Sequence, residues 1–484
     1  MHGSTREWRG MVSIYVKDVV QATGGRLLCG NAEAVIKDVV TDSREAGPGS
    51  LFVPIIGERV DAHRFIPDVM RAGAASLTSE PIDIPQETGA DEALIYVEDT
   101  LAGLQKLAKW YREQFDIPVI GVTGSVGKTT TKEMVSAVLG TKYRVLKTIG
   151  NQNSQIGLAL MMFHIDETTE LAVFEMGISL PGEMSRLVEI ARPQTAVITN
   201  IGVSHIGNLG SREAITFEKG HIVKYVGSEY GNGQRGRLYV CGNGDLQQLA
   251  RENIPYGGQC PADGTIFYGM EEGCVVTADD IRITARGQRF CYHGAADCEV
   301  SLSVMGSHNV CNAVIAMALG EQFGVEPEAA VRALEAYRPY SMRGERKDCH
   351  GYHVIDDTYN ASPDSITSNI DALFDYSADG RKIAVLGDVL ELGDRMESLH
   401  RGIGDFILEE SAGNKTLSYV ITVGEGAGYI ARQVEEHSDI PTRQFTHTDE
   451  AAEFVKQIAQ PGDWILVKGS RGMHMDEVVK KVVM

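Results

Sequence analysis

The stretch GVTGSVGKTT, residues 121–130, decides the fold. A β-branched run at 117–122 leads into it and a helix-forming run at 132–139 follows. The pattern predicts a strand, a glycine loop and a helix N-terminus. In such a loop, backbone N–H groups and the helix dipole hold nucleotide phosphates. The candidate cradle is Thr123, Gly124, Ser125, Val126, Gly127, Lys128, Thr129 and Thr130. Lys128 is spaced to reach the β- and γ-phosphates, and the Thr129 hydroxyl to ligate Mg²⁺. The expectation is an ATP-using protein with ATP and Mg²⁺ as cofactors. The general pattern GxxxxGK[ST] would put its first glycine at Val122; here Gly121 lies one position early and Gly124 sits inside the loop. A glycine turn with a chance lysine is the bland alternative. Against it, Gly127-Lys128-Thr129-Thr130 falls at the strand-to-helix junction that phosphate chemistry requires.

Two further apolar strands end in polar residues. Residues 171–174 deliver Glu175, and residues 195–201 deliver Ser204 and His205. In parallel α/β sheets the carboxyl ends of strands carry the site, so these side chains are expected beside Lys128. Glu175 suits a Mg²⁺ ligand opposite Thr129, because Mg²⁺ takes one or two carboxylates plus phosphate oxygens; a buried, paired carboxylate is the alternative. His205 suits a second metal or a phosphoryl oxygen, with a structural histidine as its alternative. Asn309 and Asn312 lie three apart on one helical face. Paired amides suit adenine or phosphate, although a helix cap explains Asn309 as well. Arg343 can bring a cation to the γ-phosphate, and Asp357, after Asp356 on a strand end, can hold a ribose hydroxyl; each is otherwise a surface residue.

Composition bounds the setting. At 484 residues the chain is too long for one core, and about three domains are expected. The formal net charge of −21 argues against a nucleic-acid partner, whose phosphates need a basic surface. No apolar run approaches a membrane span, so no membrane insertion is expected. The start, MHGSTREWRGM, has charges but no apolar core of a signal and reads as a disordered extension over 1–10. Eight cysteines carry no CxxC pair, and those from Cys241 to Cys298 match no zinc spacing. Free thiols in a reducing compartment follow, hence a cytoplasmic protein.

The organisation reads as three α/β units: 11–97, 98–338 and 339–484. In the first, residues 14–22 look helical and end at Gly24-Gly25, while 37–41 and 50–55 look like short strands around an Asp42-Ser43-Arg44 turn. Proline and glycine mark a boundary at 80–89. Asp99 or Thr100 caps a helix through Phe115, with Leu101, Leu104, Leu107, Ala108 and Tyr111 at helical spacing. Residues 231–299 read as a β-rich subregion without chemistry of their own. In the third unit, KIAVLGD (382–388), YVITVGEG (419–426) and DWILVKGSR (463–471) alternate with helical stretches, one capped by Thr448. That alternation predicts a parallel sheet of dinucleotide-fold type, and the absence of GxGxxG gives no ground for a nicotinamide cofactor.

Taken together, the motifs resemble one family. The phosphate loop, GNQNSQIG (150–157), EMG (175–177), NIGVSHIGNLGS (200–211), GSHNVCNA (306–313), Arg343, DDTYNASPDS (356–365), LGDVLELG (386–393) and VKGSR ending at Arg471 occur in the order of the Mur ligases. These are ATP-dependent amide ligases that build the peptide stem of the bacterial cell wall. The resemblance runs from TDSREAGPGSLFVPIIGERVDAHRF (41–65) to Arg471. In that family the loop takes the form GxTGxxGKTT, so the displaced glycine fits it better than the general pattern.

DDTYNASP, LGDVLELG and VKGSR are most similar to the family member that adds D-alanyl-D-alanine to UDP-N-acetylmuramoyl-tripeptide. The member adding the third stem residue usually carries DNPR, which this chain lacks. That ligase and a folate polyglutamate-type ligase stand as alternatives. A GTP switch is a more remote one, since Asn414-Lys415-Thr416-Leu417 lacks the aspartate of NKxD. The resemblance implies a monomeric three-domain enzyme with Ser43 and Arg44 on the UDP-sugar, and with Asn153, Asn360, Ser365 and Arg471 as further substrate contacts. It implies that Lys128, His205, Lys219 and Arg343 serve the chemistry, with Thr129, Glu175 and His205 on metal. A lysine like Lys219, about four helical turns past His205, is carbamoylated in several members; a structural helix lysine is the alternative. The implied reaction runs through an acyl phosphate, and domain closure is expected to keep water from it.

Overall fold

The apolar runs of the chain are buried around three sheets, met in order along the sequence. The computed structural model describes residues 11–57, 59–82, 92–231, 233–257, 260–284, 287–376 and 380–484. The extension expected over 1–10 and most of the boundary expected at 80–89 lie outside the described residues.

The first sheet has five strands in the order Arg26–Cys29, Leu94–Tyr96, Ala75–Thr78, Ser50–Phe52, Asp38–Val40. The first pair is antiparallel and the rest are parallel. The helix expected from residue 14 begins at Val16, because Ile14–Tyr15 pairs antiparallel with Val35–Ile36. It ends at Gly24, whose φ of 69° closes the last turn without a Cβ penalty. Asp99 caps the helix Thr100–Arg112, its carboxylate accepting the Ala102 N–H at 2.8 Å. Leu104, Leu107, Ala108 and Tyr111 are buried as the spacing predicts, while the helix stops three residues short of Phe115.

The second sheet has nine strands. Val119–Thr123 sits between Leu171–Glu175 and Thr195–Ile198, parallel to both. All three are fully buried, which is why they read as unbroken apolar runs. The β-rich subregion is the far half of this sheet, where Val276–Thr284, Gly287–His293 and Cys298–Leu302 form an antiparallel edge. It also holds the helix Leu246–Asn253.

The third sheet runs Glu345–Cys349, Tyr352–Asp357, Trp464–Lys468, Lys382–Gly387, Tyr419–Val423, Thr442–Phe445, all parallel except the first strand. The helix Thr448–Ile458 takes Thr448 as its first helical residue. His447 is the cap and makes no side-chain bond, so the expected capping threonine is one place off.

One continuous apolar core extends from Ile14 and Tyr111 through the central strands to Tyr337. The third sheet buries two clusters of its own, one containing Ile355 and Leu386 and the other Val354 and Val385. No helix among the described residues is long and apolar enough to cross a membrane.

Candidate active site

The loop between Val119–Thr123 and the helix Lys128–Leu139 needs glycine at two places. Gly127 precedes the helix with φ 85°, and a Cβ there would lie 3.1 Å from Asn312 Oδ1. Gly124 has φ 149°, and its Cβ would fall 2.1 Å from Thr199 Oγ1. Both backbones are ones that side chains rarely adopt. The loop is thereby held against the neighbouring strand, with the Thr199 hydroxyl donating to Val126 O at 2.5 Å. Lys128 Nζ donates back to Gly124 O at 2.8 Å and Ser125 O at 3.3 Å. Burial pushes its pKa down, and nearby Glu175 opposes that shift.

Lys219 reaches the same carbonyl from the helix Arg212–Gly220, donating to Gly124 O at 3.1 Å. It is 1 % exposed. Burial, and then the charge of Lys128, push its pKa well below the usual lysine range. The path from His205 to Lys219 is not one helix: Ile206–Leu209 ends at Gly210, and Ser211 caps a new helix by accepting the Ala214 N–H.

At the adjacent strand end, the Thr129 hydroxyl donates to Glu175 Oε2 and the Asn153 amide donates to Glu175 Oε1, each at 2.8 Å. A hydroxyl and a buried carboxylate side by side are hard oxygen donors beside a phosphate loop, which fits Mg²⁺. No group of three or more His, Cys, Asp or Glu among the described residues could hold an ion. Mg²⁺ would therefore complete its shell with phosphate and water oxygens, as it commonly does. His205 stands slightly apart in the left-handed region (φ 62°), its Nδ1 2.8 Å from Glu391 Oε2. Burial lowers its pKa, and Glu391 opposes that.

A cleft of about 830 Å³ runs from this loop to the third sheet. On the loop side it is lined by residues 125–130, Asn153, Glu175 and His205. Asn309 and Asn312 flank the loop on the same side, and opposite stand Arg343, Asp357, Asn360, Ser365 and Arg471. Asn309 Nδ2 bonds Met305 O, and Asn312 bridges Asn309 Oδ1 and the Thr131 hydroxyl, tying the helix Ser307–Gln322 to the phosphate-loop helix. The Arg343 guanidinium lies 3.8 Å over the Tyr359 ring. Asp357 accepts from Lys468 at 2.5 Å and from the Asn369 amide. Ser365 lines the cleft, but its hydroxyl is engaged with Ser362 in the cap of the helix Pro363–Asp375. Arg471 is exposed.

Five candidates fall outside the cleft wall, Gly124 among them, its carbonyl turned to Lys128 and Lys219. Thr123 and Lys219 lie beneath the loop, where the Thr123 hydroxyl bonds Met176 O. Ser43 and Arg44 sit after the strand Asp38–Val40 in the first sheet, with Arg44 paired to Asp42. Sequence reading missed Lys468 and Glu391. Lys468 ends a strand within a quoted motif and Glu391 lies within LGDVLELG (386–393), signals that could have found both.

Two family models match the chain: the Mur ligase middle domain over residues 122–320, and the Mur ligase glutamate ligase domain over 342–471. The UDP-N-acetylmuramoyl-tripeptide--D-alanyl-D-alanine ligase of Bacillus subtilis is 38% identical over 98% of this chain and 99% of its own. Its counterpart in Escherichia coli is 30% identical over 97% and 98%. Among solved structures, MurF from Acinetobacter baumannii superposes with a TM-score of 0.84 at 30% identity, covering 98% of this chain and 99% of that one. MurF ligase from Thermotoga maritima in complex with ADP gives 0.79 at 27%, covering 92% and 96%. A phosphate loop, a carboxylate beside it and a facing third domain, in a chain matched from end to end by these ligases, make it a member of the Mur ligase family.

Proposed function

We propose that this chain is an ATP-dependent ligase that joins D-alanyl-D-alanine to UDP-N-acetylmuramoyl-tripeptide in the synthesis of peptidoglycan precursors. The observation that carries the reading is the cleft in which Lys128, Thr129 and Glu175 face Arg343, Asp357 and Lys468. It gains its substrates from the 38% identity to the Bacillus subtilis ligase over nearly the full length. Residues 11–97 hold the UDP-sugar through Ser43 and Arg44, residues 98–338 hold ATP, and residues 339–484 bring the amine. The free thiols and the relatives support a cytoplasmic enzyme, which we take to work as a monomer.

The chemistry follows from the charges that must meet. A tripeptide carboxylate oxygen attacks the γ-phosphorus, the bond to the β-bridging oxygen breaks, and ADP leaves. The amine of D-alanyl-D-alanine then attacks the acyl carbon, loses a proton, and phosphate departs. Both partners of the first step are anionic, so catalysis rests on positioning and charge compensation. Lys128 neutralises the β- and γ-phosphates from the loop side, and Arg343 approaches from the opposite wall. The loop's backbone N–H groups fix the phosphates, and Asn309 and Asn312 contact the nucleotide. Asp357 accepts a ribose hydroxyl, held in place by Lys468. Thr129 and Glu175, with His205 nearby, are the residues that would hold Mg²⁺, which when bound supplies further positive charge to the phosphates. Lys219, buried beneath the loop with its pKa lowered by that burial, stands where carbamoylation would add a carboxylate. Asn153, Asn360, Ser365 and Arg471 contact the peptide substrates.

The test offers purified protein UDP-N-acetylmuramoyl-tripeptide with a panel of amino acids and D-alanyl-D-alanine, and records phosphate release. Release with D-alanyl-D-alanine alone is expected. Activity with diaminopimelate or lysine on the dipeptide precursor, and none with D-alanyl-D-alanine, would overturn the assignment.

A further inference from the structure

The loop that carries Ser204 and His205, residues 199–211, is gripped by the third domain at several points. Asp364, in the first turn of the helix Pro363–Asp375, accepts the Val203 N–H at 2.9 Å through Oδ2. Arg395 donates to Gly210 O at 2.8 Å. A Cβ on Gly207 would come within 3.0 Å of Glu391 O, so the 391–393 backbone packs flat on this loop. The carboxylate of Asp364 sits so close that a Cβ on Gly202 would lie 2.0 Å from Oδ2 and 2.5 Å from Cγ. Gly202 is not among the glycines of left-handed backbone. The approach of Asp364, and not a turn, is what excludes a side chain there. Asp364 is itself held at a fixed place, because Ser362 and Ser365 cap its helix reciprocally. It does not line the cleft.

We propose that Asp364 is a positioning residue: it latches the third domain onto the backbone at 202–203, and so sets the Ser204–His205 segment against the Asp357–Lys468 wall during the reaction. The latch is a carboxylate accepting a backbone N–H, stronger than a neutral pair because its acceptor is charged, and specific to one register of the two domains. It touches neither nucleotide nor peptide. Its effect is on how often the two walls stand in reacting geometry, so kcat feels it and ATP affinity does not. The kinetic part of this inference rests on the ligase reading; the contact itself does not.

The test is a cycle of Asp364→Ala, Gly202→Ala and the double variant, with Asp364→Asn as the conservative change. Asp364→Ala removes the carboxylate, and Gly202→Ala evicts it while leaving it in the chain. Each is expected to lower kcat about tenfold with KM for ATP within about twofold. The double variant should be no slower than either single one, because both break the same contact. Asp364→Asn, whose amide oxygen still accepts, should keep most of the rate. Hydrogen exchange at the Val203 amide is read on the protein with ADP alone. It should be slow in the wild type and Asp364→Asn, and fast in the other variants. Multiplying rate losses in the double variant, a Gly202→Ala enzyme of wild-type rate, or equal exchange at Val203 in the wild type and Asp364→Ala would each overturn the latch. A wild-type protein without ligase activity would overturn the functional reading while leaving the exchange result to decide the contact.

Discussion

Lys128 and Lys219 share the carbonyl of Gly124, two cations converging on one dipole. Lys219 is buried and Lys128 partly so, and neither has a carboxylate partner at bonding distance among the described residues. On the ligase reading Lys128 meets a phosphate, so Lys128→Ala should cut ADP formation at least about 100-fold while the melting temperature stays near that of the wild type. A coupled ADP assay and a thermal scan check this together, and normal turnover would remove the loop from the mechanism. Lys219 bears on stability. Its folded pKa is depressed, so the unfolded chain binds the extra proton and stability rises with pH toward the ordinary lysine value of 10.5. Lys219→Met should raise the urea midpoint near neutral pH and flatten its rise through the alkaline range. Lys128 and Thr129 were legible as candidates because one junction of strand, glycine and helix sets their places, and Glu175 because it ends a neighbouring apolar strand. The pairings of Lys468 with Asp357 and of Glu391 with His205 were not, because tertiary packing joins residues 111 and 186 apart along the chain.

Strand ends and helix starts carry most of the site. The expected carboxyl-end placement of Glu175 holds because its strand pairs in register with Val119–Thr123, Glu175 opposite Val122. The helix bearing Lys219 depends on its cap, Ser211, which accepts the Ala214 N–H. Ser211→Ala should therefore cost about 1 kcal/mol, read as a shift in urea denaturation. Elements with strong apolar periodicity were legible to within a few residues, the helix Thr100–Arg112 among them. Short pieces were not. Ile14–Tyr15 is apolar enough for a helix, yet it is drawn into pairing with Val35–Ile36, a contact no local pattern announces. The segment from His205 to Lys219 reads as one long helix only until Gly210, with φ 88°, breaks it.

The first two sheets are joined by one apolar core, although the first buries a smaller cluster around Phe52 as well, whereas the third sheet keeps its own. Differential scanning calorimetry of the full chain should accordingly resolve two transitions, one for the first two sheets together and one for the third. On the ligase reading ADP binds between them, and it should then raise the first and draw the two together. A single transition without nucleotide would mean that the contacts across the cleft couple the whole chain. Three α/β units were legible from alternation alone, but not which of them would fuse, since that depends on apolar faces such as Leu77 and Val97 against the helix at Gly103 meeting in space. The fusion has a further consequence. Arg44 and Lys128 belong to domains joined through that core, so their separation cannot change without breaking a common interior. On the ligase reading the body is a ruler: a substrate anchored by its nucleotide offers its terminal carboxylate at one distance only. Stem length is then measured by a rigid span, and the mobile domain is left to choose the amine.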